Sequence, residues 1–108
     1  MNRREGNWMS LDSDTAMRGV RYYMSREELT EVAYHARYGA ARRVALVRLN
    51  EQSLMCIFAF SDRDPMVRRG MARYINDKDT LNRMKDQDED MSVREAAVWR
   101  LSKLNDSK

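Results

Sequence analysis

The sequence is poor in the residues that staple and punctuate a chain. It has one cysteine, one proline, one histidine and four glycines in 108 residues. The single thiol, Cys56, cannot close an internal disulfide, and no metal-ligand set can be built around it. Its place inside an apolar run reads as a small core residue. So few glycines and prolines argue against an all-β fold, whose many tight turns need them. A Gly-rich phosphate loop is also missing. The longest apolar run, Leu54 to Phe60, is far too short to cross a bilayer. No leader-like segment stands out, so the expectation is a soluble, cytoplasmic chain with no membrane partner. Charge of one sign is lacking too. The net charge is +3, well below the basic excess of a dedicated nucleic-acid binder.

What remains is a mixture of good helix formers, rich in Arg, Ala, Leu, Met and Glu. Sixteen of the twenty basic residues are Arg. Arginine suits planar, bidentate pairing, so specific ion pairs and an anionic partner are both open.

The strongest pattern is an internal repeat. Residues 24–49, 50–75 and 76–101 align without gaps at a spacing of 26. Leu29, Met55 and Leu81 share one column, and Val32, Phe58 and Met84 another. Ala41, Val67 and Val93 align, as do Ala45, Met71 and Ala97. Arg42, Arg68 and Arg94 match identically. Residues 15–23 align more weakly with the second half of a block. Residues 1–14 read as an N-terminal cap segment and 102–108 as a frayed polar tail. All 108 residues are expected to form one domain.

Each block reads as two helices. Asp64 is an N-cap with Pro65 at the first helical position, followed by an apolar stripe of Val67, Gly70, Met71, Tyr74 and Ile75. Ser25 with Glu28 has the spacing of a capping box. Asn76 and Asp90 are the expected caps of the later helices. The first helix of the middle block, Leu54 to Phe60, is apolar nearly all round. Its counterparts are more amphipathic, as if the middle helix were covered on both sides.

The strings Asp62-Arg63-Asp64-Pro65-Met66-Val67-Arg68 and Asp88-Glu89-Asp90-Met91-Ser92-Val93-Arg94 resemble the signature of HEAT-like helical repeats. The short period is similar to the compact HEAT-like and leucine-rich-repeat-variant types. The resemblance covers residues 25–101. It implies an all-α fold, a short right-handed α-α superhelix of about three hairpins behind an N-terminal capping half-repeat. It also implies a structural ladder in which Asp62 and Asp88 pair with Arg68, Arg94 or Arg42. Ala36 and Tyr38 stand where the other blocks have acids. The cysteine cluster of some variant-repeat proteins is absent, so no iron–sulfur role carries over.

Paired carboxylates can signal acid–base catalysis, but these recur with the repeat, and one of each pair is a cap. His35 near a helix end suits the helix dipole and has no recognisable nucleophile or orienting acid. The nine Met read as gap fillers. No catalytic residue, metal or cofactor is therefore expected. The surface candidates lie on the second helices: Arg43, Val47, Arg69, Arg73, Tyr74, Trp99 and Arg100. Arg and aromatic residues of this kind dominate interface hot spots. The leading expectation is a protein-interaction module, a small regulator or inhibitor that binds an acidic or mixed protein surface. A second reading is duplex DNA on an Arg-rich face, as in the HEAT-like glycosylases. A third is an accessory subunit or chaperone of an enzyme complex. Poorly capped ends would favour homo-oligomers.

Overall fold

In a computed structural model the described residues, 24–106, are all-helical, with no strand among them. The helices are α1 (Arg26–His35), α2 (Gly39–Leu49), α3 (Gln52–Ser61), α4 (Pro65–Ala72), α5 (Lys78–Gln87) and α6 (Met91–Asp106). The chain divides into two compact units at Asn50/Glu51. The expected N-terminal cap segment and half-repeat, 1–23, lie outside the described residues, as do positions 107 and 108.

The first unit pairs α1 with α2. Ser25 accepts the Glu28 backbone N–H, and Glu28 accepts that of Ser25 in return, a complete capping box. Leu29, Val32 and Ala33 from α1 are buried, as are Ala41, Ala45, Leu46 and Leu49 from α2. α2 ends at Asn50, which takes the left-handed conformation (φ 53°) that asparagine tolerates better than most residues.

The second unit packs α3 on α4, α4 on α6 and α5 on α6, with a lighter contact between α3 and α5. Its core holds Met55, Phe58, Val67, Met71, Ile75, Leu81, Met84, Val93 and Ala97. Burying side chains of this size stabilises a fold by about 1.5–3 kcal/mol each. The shared columns of the sequence therefore coincide with the core.

Several boundaries differ from the sequence reading. Asp77, not Asn76, caps α5 and accepts the Thr80 N–H at 3.1 Å. Asn76 is used elsewhere: its backbone N–H donates to Gln52 and its side-chain oxygen accepts from Arg100. Tyr74 leaves the apolar stripe. α4 stops at Ala72, and the next turn tightens through Arg73→Gly70 and Tyr74→Met71 backbone bonds. That turn keeps Ile75 buried and puts Tyr74 outside. α3 is not covered all round. Ile57 is 52% exposed and Phe60 is exposed beside it, while Cys56 is only half-buried. Composition reports apolarity but not which face finds a neighbour. Finally, α6 continues beyond Leu101 to Asp106, anchored by a Lys78–Asn105 hydrogen bond of 3.0 Å.

The carboxyls of Asp77 and Asp90 lie below the usual carboxylate range. Their side-chain hydrogen bonds, to Thr80 and Ser92, are the largest cause, and the cap bonds to backbone N–H groups add to it. Protons therefore bind the folded state more weakly than the unfolded one. The resulting stability is complete above about pH 4, the unfolded value, and is lost as pH falls through the depressed folded values. The urea midpoint is expected to fall as pH is lowered below about 4. The fall should be smaller in Asp77→Asn/Asp90→Asn, whose amide caps do not titrate over that range.

Candidate functional site

The repeated Asp-x-Asp…Arg strings build a repeated turn. Asp62 accepts the Asp64 backbone N–H at 2.9 Å, and Asp88 accepts that of Asp90 at the same distance. Asp64 then caps α4 through Met66 N–H, and Asp90 caps α6 through Ser92 N–H. The arginine six residues after the first Asp closes each turn. Arg68 Nη1 donates to the Asp62 carbonyl at 2.8 Å, and Arg94 Nη1 donates to the Asp88 carbonyl at 2.6 Å. Arg42 donates to the Ala36 carbonyl at 2.8 Å in the same way, although Ala36 and Tyr38 stand in the acid columns of that turn. The invariant Arg thus serves its own inter-helix turn, a role the ladder reading did not include.

Arg68 does one thing more. Its Nε donates to Asp88 Oδ2 at 2.9 Å and its Nη2 to Asp88 Oδ1 at 3.3 Å. This fork–fork pair joins the α3–α4 hairpin to the α5–α6 turn. Both side chains are under 10% exposed, at 9% and 6%. Asp88 raises the Arg68 pKa, through the hydrogen bond first and through its charge as well, while burial opposes the shift. A cleft of about 280 Å³ lined by Phe60, Arg68, Gln87, Asp88 and Glu89 lies beside the pair. Its principal charges already satisfy each other. Asp62, Arg68, Asp88, Arg94 and Arg42 are accordingly parts of the framework.

The surface candidates separate. Arg43 and Val47 are half-buried in the first unit. Arg69, Arg73, Tyr74, Trp99 and Arg100 belong to the second. Within it, Arg73 and Trp99 meet: the guanidinium carbon lies 5.7 Å from the centre of the indole ring. Lys103 Nζ lies 5.6 Å from that ring as well. Lys103 is not among the surface candidates of the sequence; the signal that points to it is its place one helical turn after Trp99. Two cations thus flank an aromatic that remains 48% exposed. Such contacts are worth about 0.5–1 kcal/mol each at exposed sites, enough to orient the ring but not to hide it. Arg69 and Tyr74 are exposed nearby in sequence.

Arg100 belongs with the framework. Its Nε donates to the Ile75 carbonyl at 3.0 Å and its Nη2 to Asn76 Oδ1 at 2.7 Å, tying α6 to the α4–α5 connection. Gln52 holds the same connection from α3, donating to the Tyr74 carbonyl and accepting from Asn76 N–H. A further cation–π contact, Arg83 over Phe60 at 4.5 Å, joins α5 to α3. No sequence spacing announces it. Among the described residues no group of three or more His, Cys, Asp or Glu side chains is arranged to hold a metal ion, and no helix is long and apolar enough to cross a membrane.

Comparison of the chain with protein-family models, curated proteins and solved structures finds no match.

The arginines should divide in denaturant titrations as they do in space. Arg100→Ala removes two charge-assisted hydrogen bonds and is expected to lower unfolding free energy by about 1–2 kcal/mol. Arg69→Ala is expected to stay within about 0.5 kcal/mol of the parent.

Proposed function

We propose that the chain is a non-catalytic protein-interaction module, a short HEAT-like α-α superhelix that binds an acidic or mixed protein surface through its second helices. The observation that carries this reading is Trp99, half-exposed and flanked by Arg73 and Lys103. A rigid aromatic between cations is the side-chain chemistry of an interface hot spot. It meets carboxylates through the cations and apolar or aromatic groups through the indole. Arg69 stands one turn before Arg73 and extends the basic edge along the same helical face.

The superhelical part of the proposal is supported by the gapless 26-residue register and by the second unit. There two successive hairpins share the same turn and are linked by Arg68 and Asp88. The non-catalytic part is supported by where the acids go: Asp62, Asp64, Asp88 and Asp90 all accept backbone N–H groups at the turns.

Affinity purification from the native host with the parent chain, compared with Arg69→Glu/Arg73→Glu and with Trp99→Ala, tests the proposal. At least one partner should be lost in both variants, with each variant's melting temperature kept within a few degrees of the parent. Retention of every partner contradicts it. Binding to random duplex DNA distinguishes the nucleic-acid reading: a steep loss of affinity with rising salt supports DNA, and no binding at moderate salt favours a protein partner.

A further inference from the structure

The 26-residue register allows one helix to be compared with its own equivalent within the second unit. On α4, Ala72 is fully buried, as is Ile75 just beyond the helix end, and α6 packs along this helix. The same columns on α6 are Val98 and Leu101. Val98 is 50% exposed and Leu101 only half-buried. The α3–α5 comparison agrees: Ala59 is fully buried, whereas Lys85 in the same column is not. One flank of the α5–α6 hairpin is therefore bare where the α3–α4 hairpin is covered.

The arginine column says what that flank lacks. Arg68 uses one nitrogen on its own turn and the other two on Asp88 of the following hairpin. Arg94 makes the first contact, to the Asp88 carbonyl. Among the described residues no acidic side chain meets the rest of its guanidinium. Helical phase, about 100° per residue, places Arg94, Val98 and Leu101 on one flank of the Val93–Ala97 core stripe. Trp99 and Lys103 fall on the other.

We propose that the flank of α6 formed by Arg94, Val98 and Leu101 is a second interaction surface, whose occupant is a partner protein's helical hairpin with an Asp or Glu in its inter-helix turn. The carboxylate takes the open edge of Arg94 in the bidentate manner of Asp88 on Arg68, and an apolar helix face covers Val98 and Leu101. A second copy of this chain fits less well. Its Asp88 is held by its own Arg68, and its first block has Ala36 in the acid column. This surface is separate from the Trp99 face and does not depend on it.

A photoreactive phenylalanine analogue at Val98 of the full chain, expressed in the native host, tests the proposal. The expected product is a cross-link to another protein, mapped beside an Asp or Glu between two helical segments. Its yield should fall at least tenfold in Arg94→Lys, which keeps the charge but loses the bidentate edge. Cross-linking only to another copy of this chain, a yield indifferent to Arg94→Lys, or no cross-link overturns the proposal. Circular dichroism melting shows whether Arg94→Lys remains folded. If it does not, a chain with residues 76–101 inserted a second time after Leu101 replaces it. Substituting Ala for the inserted copy of Asp88 should then lower the folding equilibrium constant at least tenfold, and no effect overturns the proposal. These outcomes leave the Arg69/Arg73 and Trp99 test unaffected, because that test reads the Arg69, Arg73 and Trp99 side chains and none of Arg94, Val98 and Leu101.

Discussion

The second unit depends on how the Arg68 guanidinium is shared. One nitrogen closes the turn between α3 and α4, and the other two grip Asp88 in the turn between α5 and α6. Asp88 in turn accepts the N–H of Asp90, the residue immediately before α6. One cation thus organises two helix starts and the junction between two hairpins. Little of the pair remains in water, so the lost hydration must be returned by geometry, which the fork–fork arrangement and the extra backbone contacts provide. The apolar columns supply the larger share of stabilisation, but they are non-directional. The arginine fixes which turn faces which.

This division of labour explains what could be read from the sequence. Columns such as Leu29/Met55/Leu81 and Val67/Val93 are periodic because each helix buries the same face, so core positions could be recognised from spacing alone. The Ser25–Glu28 box and the Asp64-Pro65 start rest on local backbone geometry and could be read for that reason. The choice between Asn76 and Asp77 as cap could not. Both are good cap residues, and the decision comes from Arg100 and Gln52, which take Asn76 from helices more than twenty residues away. Tyr74 leaves the apolar stripe for a similar reason: helical spacing does not extend through the turn that tightens after Ala72. The apolar character of Ile57 and Phe60 gave no warning of their exposure, because neighbours, not side-chain chemistry, decide coverage.

The candidate site was legible in part. Arg73 and Trp99 do meet, and their contact crosses between α4 and α6. Arg100, the same kind of residue one position from Trp99, faces inward and serves the fold. An arginine's surface role cannot be separated from a framework role by composition, since the same guanidinium chemistry suits both. What separates them is whether backbone carbonyls lie within reach. By that test Arg68, Arg94 and Arg100 hold turns, whereas Arg73 stacks on an exposed ring. Function is accordingly proposed at the flanks of α6 and not at the carboxylates, whose recurrence follows the repeat.

The most direct test of this account is a double-mutant cycle on Arg68 and Asp88, using Arg68→Met, Asp88→Leu and the pair, followed by urea denaturation. Each single variant leaves a buried charge without its partner and is predicted to lose about 3 kcal/mol. The double variant should lose well under the sum, with a coupling of at least about 1 kcal/mol. Single losses that add to within about 0.5 kcal/mol would show that the two side chains act independently, contradicting the claim that their pairing joins the hairpins.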